Sequence, residues 1–175
     1  MAGVHDIIVN FVIVYLPPMV ANGTPVVVMK NRKGRPLDRG VVWLDGRRLL
    51  GDGKTLEGTA TYILGGIIAS IIIACILGGP REKIVLTGFV ASLGGAIGDI
   101  VESFVKRRLG LKRGEPLILA DQLDFYLGAT LFVLLCGKCI KPLPESFVLG
   151  LILVPLLHVA TNRLAYYVRI KSVPW

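Results

Sequence analysis

A chain of 175 residues that is 53% hydrophobic and only 18% charged, with a mean hydropathy of +0.67, is not an ordinary water-soluble domain. The net charge of +8 raises nucleic acid as a partner. The cations, however, sit in loops between apolar runs, which suits anionic lipid or phosphate-bearing ligands and excludes a nucleic-acid binder. The length suits one integral-membrane domain spanning 1–175. Cys75, Cys136 and Cys139 lie in or beside apolar segments and read as small buried hydrophobes. The CxxC of Cys136 and Cys139 has neither a second pair nor a histidine to complete a metal site.

The first apolar stretch has no basic region ahead of it, so it reads as a permanent span rather than a cleaved signal peptide. Pro17, Pro18, Asn22, Gly23 and Pro25 interrupt it. Because proline removes a backbone donor, the expectation is a span from Val4 to Leu16 that bends and then unwinds. Broken backbone at membrane depth is tolerated where it lines a cavity, which makes Asn22 a candidate site residue.

Residues 29–58 are polar, glycine-rich and cationic, and end in LDGRRLLGDGKT. The tail imitates a nucleotide-binding P-loop, but Arg48 stands where the first glycine of that motif belongs, and no buried strand precedes it. What remains is a phosphate-binding turn: Gly51 and Gly53 permit close backbone approach, and Lys54 with Thr55 can meet phosphate oxygens.

Thr59 to Gly79 is the second span, its small residues suited to helix packing. Ile84 to Val101 is the third, and Gly94 and Gly98 allow another helix close where Asp99 appears. Asp99, Ser103 and Arg107 recur every four residues on one stripe, with Lys106 beside it: an acid, a hydroxyl and a base suited to a metal–phosphate ligand. A helix end rich in snorkelling cations accounts for Lys106, Arg107 and Arg108 but not for Asp99. Pro116 is expected to start the fourth span, Leu117 to Cys136, with Asp121 and Asp124 sharing a face. Capping explains one of these acids; both, matched by Asp99, suit a hard cation. The fifth span runs from Phe147 to Val168 and presents His158 and Asn162 on one face. His158 reads as a helix–helix hydrogen-bond partner, Asn162 as a cavity-facing amide.

The fold class is therefore an all-α polytopic membrane protein with five transmembrane helices. With five spans, 16 of the 20 Lys and Arg fall on the side of the two large loops and the C-terminus, and 4 on the other. The positive-inside rule puts the N-terminus outside and the C-terminus and both basic loops in the cytoplasm. Every candidate site residue then faces the cytoplasm, where a phosphate compound is a natural ligand.

The run GD-x3-S-x2-KR followed by D-x2-D resembles the membrane phosphatidate cytidylyltransferase superfamily, and within it the short archaeal branch, the CDP-archaeol synthases. The resemblance spans LPPMVANGTPVV, LDGRRLLGDGKT, SLGGAIGDIVESFVKRRLG, ADQLDF and HVATNRLAYY, nearly the whole chain. The diacylglycerol enzymes end their signature in D-R-x-D after a histidine–glycine turn. Here EPLILA precedes Asp121-Gln122-Leu123-Asp124, which favours the archaeal branch over a CDP-diacylglycerol synthase. The resemblance implies transfer of CMP from CTP to an unsaturated archaetidic acid, an isoprenoid ether lipid phosphate, with magnesium as cofactor. It makes Asp99 and Asp121 the leading metal ligands and Asp124 a possible third, with Lys106 catalytic. Ser103, Arg107, Lys54 and Thr55 would hold phosphates. Asp52 and Gln122, inside the motifs, join Asn22, Gly51, Gly53 and Asn162 in the binding set.

Three other classes fit less well. A cation-coupled carrier is usually built from repeats, and none is visible. A CDP-alcohol phosphotransferase would carry one long aspartate motif, which is absent. A lipid-binding scaffold leaves the three aspartates without a role.

Overall fold

The computed structural model describes residues 2–112, 114–117, 119–171 and 173. They form five helices: α1 (Val4–Val28), α2 (Leu56–Leu77), α3 (Arg81–Arg108), α4 (Ala120–Leu135) and α5 (Pro144–Tyr167). Among the described residues α1, α2, α3 and α5 are long and apolar enough to cross a membrane, while α4 has 16 residues. The protein is a multi-pass helical membrane protein.

Where the first span was expected to unwind after Leu16, α1 instead continues through Pro17, Pro18 and Pro25 to Val28. Pro17 and Pro18 are buried against neighbouring helices, and the Tyr62 hydroxyl of α2 donates to the Pro18 carbonyl at 3.4 Å. Packing and borrowed donors keep a proline-containing helix intact where water is scarce. The fourth helix also departs from expectation. It begins at Ala120 rather than beside Pro116, because Leu119 takes a left-handed conformation (φ 68°) that interrupts any helix from Leu117.

The closest packing joins α3 to α4 through glycine. A Cβ at Gly94 would collide with the Gly128 carbonyl, one at Gly98 with the Asp124 carbonyl, and one at Gly128 with the Gly94 carbonyl. Small residues let backbones approach in a medium that supplies no hydrophobic drive between helices. This register sets the Asp99 turn of α3 against the Asp124 turn of α4. Beneath it lies an aromatic core in which the Tyr15 and Tyr126 rings meet tilted by 36° with centroids 4.5 Å apart, and the Tyr126 hydroxyl donates to the Phe147 carbonyl at 2.6 Å.

Helix α5 is tied to α1 mainly at the end remote from the basic loops. Asn10 Nδ2 donates to the Lys141 carbonyl at 2.9 Å, the Leu143 N–H donates to Asn10 Oδ1 at 2.8 Å, and Ser146 Oγ donates to the Ile7 carbonyl at 3.0 Å. Toward the other end a cavity separates these two helices.

The α1–α2 loop is an ordered cap rather than a slack linker. Its ends are joined by Leu37 N–H to the Lys54 carbonyl (2.8 Å) and Leu56 N–H to the Arg35 carbonyl (2.9 Å). Its middle is organised by the buried carboxylate of Asp38, which accepts from Arg48 Nη2 (2.6 Å) and the N–H groups of Gly51 (2.9 Å), Leu50 (3.0 Å) and Gly40 (3.1 Å). Burial alone would raise this carboxyl, but the guanidinium and the three N–H groups outweigh it and hold Asp38 well below the usual carboxylate range.

Candidate active site

All five helices and the α1–α2 loop line a cavity of about 700 Å³. Its apolar wall is supplied by α1 and α5, with Leu16, Val20, Val26, Val154 and Leu157; the charged wall comes from α3, α4 and the loop. Such a division fits a ligand that is part polar and part lipid.

The loop cap reaches the charged wall through a reciprocal clasp. Arg108 Nη1 donates to Asp45 Oδ1 at 2.7 Å and its Nη2 to the Arg48 carbonyl at 2.6 Å, while Arg47 Nη1 donates to the Arg108 carbonyl at 2.6 Å. Trp43 packs edge-on against Phe104, with centroids 5.5 Å apart. Arg108 at the end of α3 and Arg47 in the loop thus anchor the loop that carries Lys54, and Lys54 Nζ donates to Asp99 Oδ1 at 2.5 Å. Thr55 is the N-cap of α2, its hydroxyl accepting from the Gly58 N–H at 3.1 Å, so the residue after Lys54 fixes where the loop ends.

Asp99, Glu102 and Asp124 each present a carboxylate oxygen, and these oxygens lie within 4.8 Å of one another. Lys106, one turn along α3, makes two ion pairs: 2.8 Å to Glu102 and 2.6 Å to Asp121. The donor set and its surroundings fit a hard divalent cation. All three donors are carboxylates, Glu102 is buried, and the cluster lines the cavity.

Of the residues singled out from the sequence, Asn22, Gly53, Lys54, Thr55, Asp99, Ser103, Lys106, Arg107, Asp121, Asp124 and Asn162 all line the cavity. Gly51, Asp52 and Gln122 do not. Gly51 (φ 84°) is buried in the loop turn as a donor to Asp38, and the exposed Asp52 pairs with Arg48 at 3.0 Å. Gln122 lies on α4 outside the lining residues. The structure groups Asp99 and Asp124 with Glu102, whereas the expected ligand Asp121 accepts from the Leu117 N–H at 3.2 Å and pairs with Lys106. Glu102 is not among the residues singled out from the sequence. Its spacing of three from Asp99 puts both acids on one helical face, which was the available signal. His158 and Asn162 lie side by side with nitrogens 3.3 Å apart, and Lys171 Nζ donates to Asn162 Oδ1 at 3.1 Å.

Fold and cavity define a class: a polytopic helical membrane protein with acids and lysines gathered in a pocket between its helices. The CarS-like family model, described as CDP-archaeol synthase, matches residues 4–175. The CDP-archaeol synthase of Aeropyrum pernix is 44% identical over 170 residues, covering 97% of this chain and 94% of that protein. That of Hyperthermus butylicus is 41% identical over 164 residues, covering 94% of each. A solved structure of an intramembrane enzyme for archaeal membrane lipid biosynthesis aligns with a TM-score of 0.77 at 44% identity, over 86% of this chain and 91% of that one. The chain belongs to the CDP-archaeol synthase family.

Proposed function

We propose that this protein transfers CMP from CTP to an unsaturated archaetidic acid, forming CDP-archaeol and pyrophosphate. The observation that carries the reading is the cavity itself, where Asp99, Glu102 and Asp124 meet Lys54, Lys106 and Arg107 beside an apolar wall. A lipid phosphate oxygen attacks the α-phosphorus of CTP; one P–O bond forms, the bond to the β-phosphate bridge breaks, and pyrophosphate leaves. The nucleophile belongs to the substrate, so the protein needs no activated serine or histidine.

The obstacle is electrostatic, since two anions must meet and charge grows on the leaving group. Asp99, Glu102 and Asp124 would hold magnesium, which when bound screens the phosphates and polarises the bond to the leaving group. Lys54 and Arg107 stand where phosphates would enter, and Lys54 can exchange Asp99 for a phosphate oxygen without leaving its loop. Asp121 holds Lys106 at the cavity wall through the 2.6 Å pair, a positioning role. Ser103 and Asn162 supply neutral polar contacts.

Residues 1–175 act as one catalytic unit in the cell membrane. Helix α4 serves as the fifth span: at 16 residues it is roughly 24 Å long, enough when flanked by longer helices and by the segment leading into it. The N-terminus lies outside and the C-terminus inside, so the site opens to cytoplasmic CTP; the 16-to-4 division of Lys and Arg supports this orientation.

The test is magnesium-dependent pyrophosphate release from CTP by purified protein, with ether-linked and ester-linked lipid phosphates in parallel. Release with the ether lipid, lost in Asp99→Ala, is expected. Equal or faster release with phosphatidic acid would make the protein a CDP-diacylglycerol synthase, and no release with either lipid would end the reading.

A further inference from the structure

A second pocket, about 460 Å³, lies where the ends of α1 and α5 come side by side. It is lined by Lys30 and Asn31, just beyond α1, and by Tyr166, Tyr167, Arg169, Ile170 and Lys171 at the end of α5. Among the described residues three cations and no acidic side chain line it. Asn31 and Arg169 both take left-handed conformations (φ 62° and 58°) that turn the chain back as each helix ends. Lys171 lines this pocket and the large cavity alike, so the two adjoin through one half-buried ammonium.

The surroundings specify the ligand. Beyond the hydrogen-bonded tie at its far end, α5 leaves α1, and the gap is walled by Val20, Val26 and Leu157, a surface for hydrocarbon. Most of α5 is exposed along its length, with Ile152, Leu156, Leu164 and Tyr167 more than 60% exposed, so this edge faces lipid. A cationic pocket with tyrosines beside an apolar crevice at a helix end matches a phosphate headgroup whose tails stay in the bilayer. The nucleotide has no use for such a crevice, and its charged wall is on the α3–α4 side.

We propose that the pocket between the ends of α1 and α5 is the docking site for the phosphate headgroup of the acceptor lipid, which then passes Lys171 into the catalytic cavity. This rests on the function proposed above and adds a route: CTP comes by way of the α1–α2 loop, the lipid from the side between α1 and α5. Separate approaches keep the two anions apart until the acidic centre can neutralise them.

The experiment measures binding without turnover, using digeranylgeranylglyceryl phosphate and purified protein in nanodiscs, with no nucleotide or magnesium. Wild type, K30Q/R169Q and K30R/R169K are compared, with inorganic phosphate as competitor. The neutral double variant is expected to bind about tenfold more weakly, as fits the loss of charge-assisted contacts, while the conservative one binds like wild type. In the coupled assay the neutral variant should raise KM for the lipid about as much and leave KM for CTP unchanged, which also certifies its fold. Wild-type affinity in K30Q/R169Q would overturn the proposal, as would KM values for lipid and CTP rising together. Displacement of the lipid by equimolar inorganic phosphate would mean a free-anion site and overturn the lipid assignment. Because binding is read without chemistry, failure of CMP transfer in the wild type would refute the proposed function while the binding arm still decides the docking site.

Discussion

Asp38 and Asp99 are both carboxylates held by a basic side chain, and they are held in opposite ways. The Asp38 side chain is fully buried and takes hydrogen bonds from Arg48 and three backbone N–H groups. The Asp99 side chain is 27% exposed, opens on the large cavity, and is paired with the tip of one lysine. Asp38 has its acceptors filled by groups that cannot move without unfolding the loop. Asp99 has a partner on a flexible stem, which a ligand can displace. A carboxylate that builds structure is saturated by backbone; one that serves chemistry is kept in a pairing that can be exchanged.

Substitutions at the two acids should separate these roles. Asp99→Ala is expected to lower turnover by more than about 100-fold, since loss of a ligand of the proposed metal site should exceed the 10–100-fold typical of its supporting contacts. Its thermal unfolding should change little; a large drop in melting temperature with activity preserved would reverse the assignment. Asp38→Ala is expected to do the converse, weakening the loop by roughly 2 kcal/mol as Arg48 and the N–H groups lose their charged acceptor. Hydrogen exchange across residues 36–52 should report it, and any activity loss should appear mainly in KM for CTP because Lys54 rides on that loop.

Lys54→Ala tests the exchangeable half of the comparison. It should raise KM for CTP about tenfold, the order expected for one charge-assisted contact, with a smaller effect on the lipid. A change confined to lipid dependence would mean that the loop serves the acceptor instead. Acidification sharpens the contrast further. Asp38 sits below its ordinary value in the fold, so its contribution is complete above about pH 4 and is lost as pH falls further toward the depressed value. Loop protection should therefore be flat from pH 5 to 8 and decline only in stronger acid. The smallest effect is expected from Asp52→Ala: its 3.0 Å pair with Arg48 is on an exposed side chain outside the cavity. Stability should shift by less than about 0.5 kcal/mol and KM for CTP should stay put.

Much of this was legible in the sequence because it depends on local pattern. Apolar runs marked the helices, the stripe of Asp99, Ser103 and Arg107 marked one wall of the cavity, and the spacing of Gly94 and Gly98 marked the close approach that α4 makes. Lys54 could be singled out as a residue of the cavity, although nothing local shows that it reaches Asp99. The prolines of α1 misled in an instructive way. Alone they forecast a break, and only burial against α2 lets the helix run on.

Tertiary structure decided the rest. Asp121 and Asp124 are equivalent by spacing, yet the α3–α4 register set by Gly94, Gly98 and Gly128 brings Asp124 to Asp99 and Glu102 and gives Asp121 to Lys106. Asp38, one acid among many in a basic loop, becomes its hub only when Arg48 and Gly51 fold back over it. Helical period tells which residues share a face of one helix. Which acid meets which across two helices depends on a sub-helical-turn offset between backbones, and that offset is set by packing rather than by any local pattern.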